Sequence, residues 1–148
     1  MSQPQVSYRQ QYVSGVVAAS PNQFPVEGYG YVVNRGAAAE TGLAQFFQPF
    51  STEPVFEQEL VVQPGDMARF NASLPYQELV LGPNVFYAKI WTTSLDLAPS
   101  CAVYGFPEGA DPVLLGYFAP GDFAQFTLPV LRYPGPPGPP IPPPVSEP

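Results

Sequence analysis

An all-β fold is predicted by this sequence: a β-sandwich or β-barrel, jelly-roll or tulip-like, of about ten short strands with extended N- and C-terminal arms. Three observations carry that expectation. Hydrophobic residues make up 45% of the 148 positions and aromatic residues 14%, against 11% charged, so the chain has material for one buried core. Pro at 22 and Gly at 13 interrupt it too often for long helices. Between those interruptions lie alternating stretches at roughly ten-residue spacing, as short antiparallel strands require.

Residues 1–11, polar and rich in Gln and Ser, read as an N-terminal arm; residues 12–131 form the body, and residues 132–148 a Pro-rich C-terminal arm. Within the body, Tyr12 to Val17 and Tyr29 to Asn34 read as strands joined through a turn region at Pro21–Pro25. Ala37-Ala38-Ala39-Glu40 is the one helix-like run, and Gly42 stops it within about one turn. Leu43 to Phe47 and Val55 to Val62 follow; in the latter Phe56, Leu60 and Val62 share one face while Glu57 and Glu59 share the other. Met67 to Asn71 and Gln77 to Leu81 come next. The strongest strand is Val85 to Thr93, with Phe86, Ala88 and Ile90 on one face and Val85, Tyr87, Lys89 and Trp91 on the other. Cys101 to Phe106, Val113 to Phe118 and Phe123 to Thr127 complete the set.

A phrase occurs twice. Pro64-Gly65-Asp66-Met67-Ala68-Arg69-Phe70 returns as Pro120-Gly121-Asp122-Phe123-Ala124-Gln125-Phe126. Leu74-Pro75 and Leu128-Pro129 follow the copies, and Glu53-Pro54-Val55 and Asp111-Pro112-Val113 precede them. Pro-Gly sets a tight turn, Pro by fixing its own φ and Gly by supplying a positive one. The phrase therefore reads as two related β-hairpins. Either residues 12–75 and 76–131 are a duplication or the same hairpin chemistry arose twice.

Composition excludes several functions. Twelve carboxylates against five cations give a formal charge of -7, so no basic face for nucleic acid or an anionic membrane can be assembled. One cysteine, Cys101, rules out an intrachain disulfide and fits either a reducing compartment or a chain stabilised by other means. The polar start lacks the basic and apolar regions of a signal peptide, and no stretch of eighteen apolar residues exists. The expectation is synthesis and assembly in a cytoplasm.

Histidine is absent, which removes Ser-His-Asp and Cys-His nucleophilic sites, His-ligated zinc and two-His iron. The Pro-Gly turns resemble those of cupins, but cupin metal sites draw His from the strand after the turn, where this chain has Met67, Ala68, Arg69 and Phe70. Glu57 and Glu59 could serve as a glycosidase pair; a solvated strand face that discourages edge aggregation explains them more simply. Asp66 and Asp122 each follow Pro-Gly and suit a bond to turn amides better than calcium. Cys101 opens an apolar strand with no base or cation nearby and reads as a buried structural thiol. Gly28-Tyr29-Gly30 lacks the setting of a dinucleotide fingerprint. No catalytic residue, metal ligand or cofactor is expected.

Tyr133 to Pro144 is almost pure Pro and Gly and favours polyproline II, extended at about 3.1 Å per residue. An acidic, His-free β body with a polar N-terminal arm and such a tail resembles the decoration (cement) proteins of tailed-phage heads. The segment Gln63-Pro64-Gly65-Asp66-Met67-Ala68-Arg69-Phe70 is similar to the Pro-Gly hairpins of phage structural proteins. The resemblance implies a non-enzymatic virion protein, made in the host cytoplasm. It would sit as a homotrimer on the outer capsid surface, against the major capsid protein and neighbouring decoration subunits. It further implies partner-binding residues in both arms: Tyr8, Arg9 and Tyr12 in or beside the first, and Arg132, Tyr133, Pro136, Pro139, Ile141 and Val145 in the second. Arg outnumbering Lys four to one, with 22 Pro, suggests a GC-rich or thermophilic source, since Pro in loops lowers unfolded-chain entropy. The alternative is a carbohydrate- or receptor-binding sandwich of a tail fibre or surface adhesin, using Trp91 and surface tyrosines as stacking platforms.

Overall fold

The computed structural model describes residues 6–49, 51–78 and 82–132. Ten strands occupy it: β1 (Ser7–Val13), β2 (Val17–Ala19), β3 (Val26–Asn34), β4 (Glu40–Phe47), β5 (Phe56–Val62), β6 (Met67–Leu74), β7 (Asn84–Thr92), β8 (Leu97–Gly105), β9 (Val113–Phe118) and β10 (Ala124–Arg132). They make two antiparallel sheets packed face to face. The larger runs β10-β1-β7-β4-β5, with β2 also pairing β7; the smaller runs β6-β3-β8-β9. The expected all-β fold of about ten strands is present, as a sandwich.

Alternation places the core. Phe86, Ala88 and Ile90 of β7 and Ala44 and Phe46 of β4 face Val26 and Val32 of β3, Phe70, Ala72 and Leu74 of β6, and Leu97, Cys101 and Val103 of β8. Burying a Phe such as Phe86, which is 0% exposed, stabilises the fold by roughly 2–3 kcal/mol. The Gly-Tyr-Gly of β3 has a packing reason. A Cβ on Gly28 would collide with the Phe46 ring, and one on Gly30 with the Phe70 ring, so both glycines let aromatic rings lie against the backbone.

The first eleven residues are not all an arm. β1 lies inside the larger sheet, with Tyr12 paired to Ile90 on one side and to Gln125 on the other. Its polar sequence hides this, because Gln10 is buried at 2% exposure yet satisfied. Its Oε1 accepts from Gln125 Nε2 at 3.0 Å and from Thr127 Oγ1 at 2.6 Å. β1 and β2 then pair successive stretches of β7, and Ser14 bridges the gap between them. Its amide donates to the Ala88 carbonyl at 2.9 Å, and its hydroxyl oxygen accepts the Ala88 amide at 2.8 Å. A side chain thus stands in for a missing rung of the ladder.

Two other expectations fail locally. Ala37–Glu40 is not helical: residues 36–38 bend, and β4 begins at Glu40. The buried Asn34 holds this bend, its Nδ2 donating to the carbonyls of Ala38 (2.8 Å) and Val62 (2.9 Å) and its Oδ1 accepting the Gly36 amide (2.8 Å). Gln77 and Glu78 lie outside any strand, and the Gln77 amide is capped by Asn84 Oδ1 at 2.7 Å. The rest of the strand expected at Gln77 to Leu81 falls outside the described residues.

The repeated phrase is also not a hairpin. Pro64-Gly65-Asp66 joins β5 to β6, and Pro120-Gly121-Asp122 joins β9 to β10; in each case the two strands belong to opposite sheets. Each copy is an arch over the end of the sandwich. Gly65 has the positive φ of +73° that the turn needs, whereas Gly121 sits in a 3-10 turn without one. Both aspartates bind turn amides, in opposite directions: Asp66 Oδ1 accepts from Met67 at 2.8 Å, and Asp122 Oδ2 from Ala119 at 2.9 Å. The topology has a related symmetry. Exchanging β3–β6 for β7–β10 in order converts β6-β3-β8-β9 into β10-β7-β4-β5, the larger sheet's order without β1.

Candidate binding face

The outward face of the smaller sheet carries four tyrosines. Register sets them in rows across the strands. Arg69, Tyr31 and Ser100 form one row; Asn71, Tyr29, Ala102 and Tyr117 the next; Ser73, Glu27, Tyr104 and Leu114 the third. Their chain neighbours Phe70, Ala72, Val32, Cys101 and Val103 point into the core, so alternation alone turns these side chains outward. Ala102 and Ser100 are small, and they leave a shallow depression of about 880 Å³ between the rings.

The rings brace one another. Tyr29 meets Tyr104 edge-on at 6.1 Å and Phe106 at 6.5 Å, while Tyr104 and Phe106 lie 6.4 Å apart. At the open side, Tyr31 is 39% exposed and Tyr117 56%. Burial, then the hydrogen bond and negative charge of Glu27, push the Tyr29 phenol above its ordinary pKa, so it stays a neutral donor. Arg69 and Asn71 supply donors at the β6 edge. The arrangement can stack on flat apolar or sugar surfaces and bond to their polar rims.

Of the residues expected at partner contacts, the described ones are not gathered on one surface. Tyr8 and Tyr12 are buried at 1% and 5% exposure, and Tyr12 donates to the Leu97 carbonyl at 3.4 Å; both are packing residues, because β1 is an interior strand. Arg9 is exposed on β1, and Arg132 ends β10 opposite Ser7. Tyr133, Pro136, Pro139, Ile141 and Val145 lie outside the described residues. Trp91 is no open stacking platform either: it is 8% exposed, and its Nε1 donates to Gln45 Oε1 at 2.8 Å.

Glu57 and Glu59 lie on the exposed face of β5, an edge strand, and Glu57 Oε1 accepts from Gln45 Nε2 at 2.8 Å. Cys101 is in the core, where burial pushes its thiol up to about 12. Among the described residues no three Cys, Asp or Glu side chains gather as metal ligands would. The tyrosine face itself was legible in part. Tyr29 and Tyr31 alternate with residues of opposite orientation in β3, but their meeting with Tyr104 and Tyr117 depends on a pairing between β3 and β8 that local sequence does not encode.

No family model matches the chain, and no curated protein sequence matches it. Among solved structures the chain is similar to the protein of the crystal structure named Thermotoga maritima 1070, with 10% identity, a TM-score of 0.40, and coverage of 85% of this chain and 93% of that one.

Proposed function

We propose that this chain is a non-enzymatic binding protein that attaches through the tyrosine face of its smaller sheet and serves as a structural component of a larger assembly. In the decoration proteins it resembles, the assembly is a phage head, and the partner surface is the capsid shell. The observation that carries the reading is the row arrangement of Tyr29, Tyr31, Tyr104 and Tyr117 on an outward sheet face. Tyr and Arg are the residues on which protein interfaces concentrate their energy. The acidic charge of -7 suits an outer surface that must not bind DNA.

The test is attachment to purified shells by the full chain and by a Tyr31→Ser, Tyr117→Ser double variant. Both positions are exposed, so the variant keeps its fold, and attachment falls at least tenfold. Equal occupancy by both proteins would sink the reading.

A second reading, a carbohydrate-binding module, is favoured by one feature: the exposed rings of Tyr31 and Tyr117 share a depression with Arg69, Asn71 and Ser100, a mixture suited to a sugar's apolar face and hydroxyl rim. Binding on a glycan array, abolished by the same double variant, selects it over the shell.

A further inference from the structure

The smaller sheet runs β6-β3-β8-β9, so among the described strands β9 is its terminal one, paired to β8 along one side. An edge strand presents a row of backbone N–H and C=O groups able to take another strand, and proteins guard such edges with charges, proline or covering elements. Of the four edges among the described strands, three are guarded in this way. β5 carries the exposed Glu57 and Glu59, and β6 the exposed Arg69. β10 contains Pro129, which has no amide to donate, and ends in Arg132. β9 differs. Val113-Leu114-Leu115-Gly116-Tyr117-Phe118 holds neither a charge nor a proline, and Val113, Leu114 and Tyr117 are exposed, Leu114 at 53%. The strand is also held firmly from behind. A Cβ on Gly116 would lie 2.6 Å from Val17 Cγ2, so β2 packs against the inward side of β9.

We propose that β9 is a docking edge for an extended segment of a partner protein, added as a fifth antiparallel strand and carrying basic residues on both sides of a short uncharged stretch. Backbone bonds supply the affinity in such strand addition, and Leu114 and Tyr117 supply the surface that alternate side chains of the segment meet. Charge selects the occupant. Glu108 and Asp111 precede β9 and Asp122 follows it, all three exposed. A segment lying along β9 therefore crosses a neutral stretch of about 20 Å at ~3.3 Å per residue, with carboxylates at either end. Lysines or arginines at those ends meet opposite charge, which favours cross-strand neighbours. A second copy suits the edge poorly. Antiparallel pairing of two β9 strands would bring Asp111 of one copy beside the Pro120–Asp122 turn of the other, between chains that each carry a charge of -7. The edge is a surface additional to the tyrosine face, since β8 separates it from Tyr31 on β3.

The test is fluorescence anisotropy of a labelled synthetic peptide, two lysines at each end of six alternating valines and threonines, titrated with the full chain. Binding is expected to saturate, to weaken as salt is raised, and to be at least tenfold weaker for the same peptide ended in glutamates. Leu114→Lys places a charge on the edge, as β5 does with its glutamates, and lowers affinity at least tenfold. Glu108→Gln combined with Asp111→Asn lowers it several-fold, and Tyr31→Ser leaves it unchanged. In the wild-type chain, where no variant has to fold, saturating peptide slows amide hydrogen exchange within residues 113–118. Absence of saturable binding overturns the proposal, as does equal affinity for the glutamate-ended peptide or unaltered exchange within 113–118. Loss of binding in Tyr31→Ser overturns it too, by moving the peptide onto the tyrosine face. A concentration-dependent dimer that Leu114→Lys disperses overturns it in favour of a second copy. If shell attachment survives the Tyr31→Ser, Tyr117→Ser double variant while Leu114→Lys loses the peptide, the tyrosine-face reading fails and the docking edge stands.

Discussion

The ring of Phe70 occupies the space that a Cβ on Gly30 would need, and such a Cβ would also lie 2.6 Å from the Ser100 carbonyl oxygen. Gly30 sits in β3 between Tyr29 and Tyr31, with β6 on one side and β8 on the other. One residue without a side chain therefore lets the tip of a core ring reach the strand whose flanking tyrosines form the candidate face. The core and the binding surface are tied at this point.

Gly30→Ala is accordingly expected to destabilise the protein by about 1–3 kcal/mol through overpacking, because the Ser100 backbone cannot move aside cheaply. Gly65→Ala meets nothing within 4 Å and is strained only by its φ of +73°, which costs about 1–2 kcal/mol. Urea midpoints of the two variants check this. If Gly30→Ala melts with the wild type, the ring does not press on the strand as described.

Asn34→Ala removes a side chain that satisfies Ala38, Val62 and Gly36 at once. Leaving buried backbone groups unpaired costs about 1–3 kcal/mol for a single group, and Asn34→Asp, which keeps the acceptor and loses both donors, is expected to fall between Ala and wild type. Thermal unfolding measures the series. Equal melting of all three proteins would mean that water replaces the asparagine without loss.

These positions show what could be read from the chain and what could not. The strong alternation of Phe86, Ala88 and Ile90 announced β7, and the facing Glu57 and Glu59 announced the exposed side of β5, because those signals are local. β1 was hidden because Gln10 carries a polar name into a buried place, and only Gln125 and Thr127, more than a hundred residues away, make that tolerable. The Pro-Gly-Asp phrase correctly marked reversals and the amide bonds of Asp66 and Asp122. It could not say whether the chain reverses within a sheet or between sheets, since that depends on which strands are already paired. The tyrosine face was legible only in part for the same reason.

Deleting residues 1–13 is expected to abolish cooperative unfolding, because β1 pairs both β10 and β7 and its loss leaves β10 without its partner and one edge of β7 unpaired. A dispensable arm would give the opposite result: an unchanged, sharp melting transition by circular dichroism. The milder Tyr12→Ala variant, which empties a buried aromatic site beside Phe123, is expected to cost about 3–5 kcal/mol while leaving the ladder intact.

Cys101 provides a pH test of the core. Burial pushes its thiol from an ordinary 9.0 up to about 12. The unfolded chain therefore ionises this group first as the pH rises, and the fold holds it neutral. The stabilisation is complete below pH 9.0 and is lost progressively as the pH climbs through about 12. Tyr12, also raised by burial, works in the same direction at higher pH. Urea midpoints should be flat through neutral pH and then decline above the lower value. Cys101→Ala lowers stability at neutral pH by leaving a small cavity but flattens part of the alkaline slope, and the wild-type thiol reacts with aromatic disulfides only at the rate at which the protein opens. Rapid labelling of the folded protein, or an alkaline slope identical in Cys101→Ala, would show that the thiol is not held in the core as described.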